Sequence, residues 1–216
     1  AILAATDLSL NVGQRQARYV DGREWARHGG VALAYAGDPL GLWEAKRLSG
    51  LAIIQSDTGA YSEALVMFER VLDICTKALG PRHPTIANTL QNIARVHEAV
   101  GAHAEARVLF ERALAIQEYS LGSNHPDVAK GLNSLAIVHM HTGAQAEAQG
   151  LLRRALIITE QSFGPEHPTT NGILTNLAHI HMDAREYREA QSLYERALVL
   201  TKRIAGPDHP DTARAL

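Results

Sequence analysis

One six-residue segment occurs four times along this 216-residue chain at a constant step. Leu79-Gly80-Pro81-Arg82-His83-Pro84 returns as Leu121-Gly122-Ser123-Asn124-His125-Pro126. It returns again as Phe163-Gly164-Pro165-Glu166-His167-Pro168, and as Ala205-Gly206-Pro207-Asp208-His209-Pro210. The step is 42 residues each time, without insertion. A strict period of this size requires a stack of like supersecondary units, because a single unit cannot bury its own apolar face.

Other positions recur at the same step. Ala52, Ala94, Ala136 and Ala178 form one series, and Ala64, Ala106, Ala148 and Ala190 another. Phe68, Phe110, Leu152 and Tyr194 form a third, and Leu72, Leu114, Leu156 and Leu198 a fourth. Within a unit, Ile86, Leu90, Ile93, Ala94 and His97 fall at helical spacing. After a turn at Val100-Gly101-Ala102, a second stripe runs through Ala106, Leu109, Phe110, Ala113, Leu114 and Ile116. Each unit therefore reads as two helices, with Ala94 and Ala106 at their close crossing, where a larger side chain would force them apart.

The punctuation has physical causes. Gly80 is expected to end a helix in a left-handed backbone, and Pro81 cannot continue that helix. Pro84 suits the first turn of the next helix. Thr85, Asp127, Thr169 and Asp211 then favour a helix N-terminus. In the fourth unit Arg185 replaces the turn glycines Gly59, Gly101 and Gly143, which predicts a turn of different shape. Arg153 stands where other units have Glu69, Glu111 and Glu195, and Ala205 replaces the large linker residue.

Composition narrows the class. Hydrophobic residues make up 46%, charged residues 20% and aromatics 5%, which suits ordered, tightly packed helices rather than a disordered chain or a β-sandwich. The net charge of -2 argues against nucleic acid as a partner. The single cysteine, Cys75, excludes an internal disulfide and a cysteine-held zinc, and is expected to be a small buried apolar residue. No apolar run approaches the ~20 residues that span a bilayer, and no signal peptide is evident. A cytoplasmic location is expected. The start at Ala1 and the stop at Leu216, within an apparent helix, read as a fragment of something longer.

The pattern L-x-x-L-A-x-x-x…G-x-x-x-E-A-x-x-x-[FYL]-x-R-A-L resembles the tetratricopeptide repeat, whose ordinary unit is about 34 residues. The longer unit with its [LF]-G-x-x-H-P linker is similar to the repeats of kinesin light chains and nephrocystin-3-like proteins, and to those of bacterial multidomain signalling proteins. The resemblance covers roughly residues 43–216. It implies an all-α, right-handed superhelical solenoid of antiparallel helix hairpins. Units are expected at about 41–82, 83–124, 125–166 and 167–208, with a further repeat starting at 209–216. Residues 1–40 fit poorly: Gly29-Gly30 falls where Met67-Phe68 packs, and two glycines inside a helix cost about 2 kcal/mol. They are expected to form a degenerate or capping helical pair. They also resemble the segment joining a signalling ATPase to its repeats, although no Walker-type loop is present.

Eleven histidines invite a metal reading. His139 with His141, and His179 with His181, lie two apart on a helix, so their side chains point about 200° apart and do not share a metal. His83, His125, His167 and His209 belong to the linker and are expected to cap the following helix or bond a neighbouring loop. No nucleophile–base order appears, so no catalytic residue, cofactor or metal is expected and the chain does not read as an enzyme. Glu63, Glu105, Glu147 and Glu189, with Arg70, Arg112, Arg154 and Arg196, read as surface or inter-repeat ion pairs.

By resemblance the working surface is a concave groove lined by the first helix of each hairpin. Its positions hold Lys46, Asn88, Lys130 and Gly172, then Ser49, Gln91, Asn133 and Thr175, then Gly50, Asn92, Ser134 and Asn176. Further along come Ile53, Arg95, Ile137 and His179, and near the helix end Glu98, His141 and Asp183. Asparagine and glutamine amides match the backbone of an extended peptide, while Arg95 and Lys130 suit a carboxylate. The patch of Asn88, Asn92, Arg95, Lys130 and Asn133 is the core of the expected peptide-binding groove. The reading is a protein–protein interaction scaffold for a protein or peptide partner, with neither nucleic acid nor membrane. The alternatives are a sensor or autoinhibitory arm of a larger bacterial signalling ATPase or effector, and self-association through repeat ends where Ala213 and Leu216 expose an apolar face.

Overall fold

The computed structural model describes Asp38 and residues 40–205, with side chains through Lys202. Among the described residues there are eight helices and no strand. They are α1 (Leu42–Asp57), α2 (Tyr61–Leu79), α3 (Pro84–Ala99), α4 (His103–Leu121), α5 (Pro126–His141), α6 (Gln145–Phe163), α7 (Pro168–Asp183) and α8 (Tyr187–Ala205). First helices have 16 residues and second helices 19. The chain is an all-α repeat solenoid. The expected N-terminal helical pair, His209, Ala213 and Leu216 lie outside the described residues.

The linker histidines cap helices. Nδ1 of His83, His125 and His167 accepts from the backbone N–H of Thr85, Asp127 and Thr169 at 3.2, 3.1 and 3.3 Å. Each bond satisfies one of the orphan donors at a helix start and requires the tautomer with a bare Nδ1. Proline occupies the first turn of α3, α5 and α7, where its missing N–H costs nothing. Helix α1 starts differently: Gly41 adopts φ 68° and ψ 11°, and the Asp38 carboxylate accepts from the N–H of Glu44 at 2.9 Å.

The helix-ending glycines depart from the expected left-handed helical backbone. Gly80 has φ 86° and ψ 160°, and Gly164 φ 84° and ψ 163°. Only glycine populates this region readily. The following proline favours an extended ψ, but Gly122, followed by Ser123, has the same positive φ of 87° and the same linker hydrogen bonds, so the linker as a whole sets this backbone.

The turn at Arg185 also corrects the expectation. Arg185 takes φ 62°, in the same positive range as Gly59, Gly101 and Gly143. Its turn repeats their hydrogen bonds: Arg185 N–H to Met182 O at 3.0 Å and Glu186 N–H to His181 O at 2.8 Å match Gly143 to Met140 and Ala144 to His139. The flanking helices dictate the turn, and the residue conforms at a cost.

The chain divides into two compact units, Ala1–Ile116 and Gln117–Leu216. In the first, Ala45, Val71, Cys75, Ile86, Ala87, Leu90, Ala113 and Ile116 form a core drawn from α1 to α4. A second cluster of Ala52, Ala64, Phe68, Ile93 and Val96 lies beside it. In the second unit α5 packs on α6, α6 on α7 and α7 on α8, with Leu174, Ala197 and Leu200 buried together. All eight alanines of the two alanine series are fully buried, as their place at the crossing of each hairpin demands.

Candidate functional site

In the first unit Asn88, Asn92 and Arg95 lie at i, i+4 and i+7 on α3, and so share one face. Asn88 and Arg95 are exposed, whereas Gln91, Asn92 and Lys46 are half-buried. Asn92 and Arg95 line a cleft with Ile53, Ser56, Asp57 and Phe68. Its space of about 20 Å³ suits one water-sized group. The fully buried Phe68 and the half-buried Ile53 make the floor apolar. Arg95 makes no hydrogen bond or ion pair among the described residues, and neither does the Asn92 amide. Lys46, Gln91 and Glu98 are already engaged.

The second unit is more self-satisfied. Lys130 Nζ donates to Asp127 Oδ1 at 2.8 Å, so its charge is shared within the first turn of α5. Asn176 Nδ2 donates to Asn133 Oδ1 at 2.9 Å, joining two expected peptide-binding amides to each other. Ser134 is half-buried, and His179 is exposed with its ring edge on Tyr194 at 5.8 Å. Asp183 accepts from Gln145 Nε2 at 3.2 Å. Burial, and then the Asp183 charge, push the Tyr194 hydroxyl above its usual range.

The paired histidines separate as helix geometry requires. His179 is exposed, but His181 is 9% exposed, with Nδ1 2.5 Å from Glu186 Oε2 and Nε2 3.3 Å from Gln149 Nε2. Among the described residues no three His, Cys, Asp or Glu side chains converge as a metal site would require. No described helix is long and apolar enough to cross a membrane.

Two features escaped the sequence reading. Asp57 lines the cleft and occupies the repeat position of His141 and Asp183, whereas Glu98 is one residue off that register. The acids that meet the recurrent arginines are also different from those expected. Arg154 meets Glu118 at 2.5 Å, Arg196 meets Glu160, and Arg70 meets Asp73 on its own helix at 3.4 Å. The Glu63 series instead occupies the first turns of the second helices, where a negative charge complements the positive end of the helix dipole. The 42-residue step from Glu118 to Glu160 was the available signal.

Comparison with known proteins extends this geometry. Tetratricopeptide repeat models match residues 43–119, and residues 128–169 and 172–211. No protein of curated function matches in sequence. Among solved structures, a single-site variant of a Podosopora anserina putative kinesin light chain with nearly identical TPR-like repeats superposes with a TM-score of 0.75. It is 25% identical over 94% of this chain and 95% of that one. BtubC (BKLC) from P. vanneervenii gives 0.74 at 18% identity, over 99% and 78% of the two chains. The apo form of RapI gives 0.77 at 14% identity, over 94% and 70%. The matched models, the strict repeat and the hairpin packing together place the chain in the tetratricopeptide repeat family, as a repeat scaffold of the kinesin light chain type.

Proposed function

We propose that the chain is a binding module that holds an extended peptide or protein segment on the polar faces of its first helices. Lys46, Asn88, Gln91, Asn92 and Arg95 serve in the first unit, and Lys130, Asn133, Ser134, Asn176 and His179 in the second. The observation that carries the reading is the cleft of the first unit. There an unengaged amide, Asn92, and an unengaged guanidinium, Arg95, stand beside an apolar floor. An amide offers a donor and an acceptor to a peptide backbone, and a guanidinium takes a carboxylate in fork geometry. The near-neutral net charge supports a protein rather than a nucleic-acid partner. The repeat array is taken to run from residue 41 to 216, with residues 1–40 as its cap, and to act without cofactor, metal or chemistry of its own.

The test is a pull-down from native lysate with the chain and with the triple variant Asn92→Ala, Arg95→Ala, Asn133→Ala. Circular dichroism checks that the variant stays helical. A partner retained by the native chain and lost by the helical variant supports the reading. A partner retained by both moves the site to the second helices or the linkers.

A further inference from the structure

Two joints between successive second helices are closed by an ion pair of one design. Arg154, midway along α6, meets Glu118 in the last turn of α4 and also donates to the Ser123 carbonyl at 3.1 Å. Arg196, at the same place on α8, meets Glu160 in the last turn of α6. The arginine lies 36 residues beyond its carboxylate. The same step back from Arg112 lands on Thr76, which stands in the repeat where Glu118 and Glu160 stand. Thr76 brings a hydroxyl and no charge. Arg112 is exposed and makes no hydrogen bond or ion pair among the described residues.

Cations outnumber acids beside this joint, although Glu69 and Glu111 stand next to Arg70 and Arg112 in the sequence. From Arg70 to Arg82, the end of α2 and its linker carry three cations and one acid, Asp73. Asp73 is already spent on Lys77 at 2.8 Å and Arg70 at 3.4 Å. Where this linker has Arg82, the next two have Asn124 and Glu166.

We propose that the first joint is a docking surface for an acidic segment of a partner protein. An Asp or Glu carboxylate of that segment takes on Arg112 the place that Glu118 and Glu160 take on Arg154 and Arg196. The guanidinium fork prefers a carboxylate of this geometry. A single exposed pair is weak, so the segment must be acidic at several positions, and its other carboxylates share Lys77 and Arg70 with Asp73. This surface is independent of the first-helix face, because its residues lie on second helices and a linker.

The test is fluorescence anisotropy with a labelled oligoglutamate peptide and the whole chain. Thr76→Glu supplies the missing carboxylate from within, Arg112→Gln removes the cation, and Thr76→Gln is the neutral control of equal size. Thermal melts establish that all three fold. Thr76→Glu and Arg112→Gln are expected to weaken binding by about tenfold or more, equivalent to ~1.4 kcal/mol, with Thr76→Gln close to the native chain. Three results would overturn the proposal: no binding to the native chain, unchanged binding in Thr76→Glu and Arg112→Gln, or equally tight binding of an oligonucleotide of the same charge.

Discussion

Arg185 holds a left-handed backbone at φ 62°, a conformation that costs a side-chain-bearing residue roughly 1–2 kcal/mol. Replacing it with glycine removes that strain but gives the unfolded chain more freedom, so the net gain is smaller. Arg185→Gly is predicted to stabilise the fourth unit by about 1 kcal/mol, read as a higher urea midpoint. An unchanged midpoint would show that the turn is unstrained. Cys75 has the opposite character. It is 2% exposed, and burial pushes its thiol above the ordinary value of 9.0. Below pH 9 that shift favours the folded state, and its contribution is lost as pH rises through the raised value. Stability is therefore predicted to fall above about pH 9, less steeply in Cys75→Ala. At pH 8 iodoacetamide is predicted to label the native thiol at least ~10-fold more slowly than the unfolded one.

At the scale of the helix, two devices carry the prediction of structure from sequence. The first is the histidine cap. His83→Ala, His125→Ala and His167→Ala are each predicted to cost about 1 kcal/mol in urea titrations, while asparagine at the same place retains most of the cap. The second is the alanine crossing, where Ala136→Leu is predicted to cost ~1–3 kcal/mol by overpacking. Both devices were legible because each is local: the spacing of histidine, proline and a short polar residue describes a helix start, and a recurrent alanine marks a close approach. The ψ of Gly80 accords with the extended preference of a residue before proline. The Asn176–Asn133 bond was not legible, and of the Arg154–Glu118 and Arg196–Glu160 pairs the sequence carried only the 42-residue recurrence of their members. Their partners stand about one repeat apart, so they depend on how hairpins stack, which composition and helical spacing do not describe. The bond between Asn133 and Asn176 changes the account of the site, because amides expected to face a ligand partly satisfy each other.

Across the molecule, a repeat array gains stability from each hairpin and from each interface with its neighbour. On the proposed function its binding surface is likewise spread over several helices rather than gathered in one pocket. The small cleft beside Asn92 and Arg95 is consistent with this, since a surface that holds a segment by many modest contacts needs no deep cavity. The first unit offers unengaged groups there, whereas the second has spent Lys130, Asn133 and Asn176 on internal bonds. A ligand is therefore predicted to depend more on the first unit. In the pull-down, Arg95→Ala alone is expected to lose most of the retained partner and Lys130→Ala little, and the reverse order would contradict that ranking. The most direct test of the central claim is amide hydrogen exchange on the chain with and without the partner so captured. Protection of α1, α3, α5 and α7, strongest around Asn92 and Arg95, is the result predicted. Protection confined to α2, α4, α6 and α8 would contradict a binding surface on the first helices.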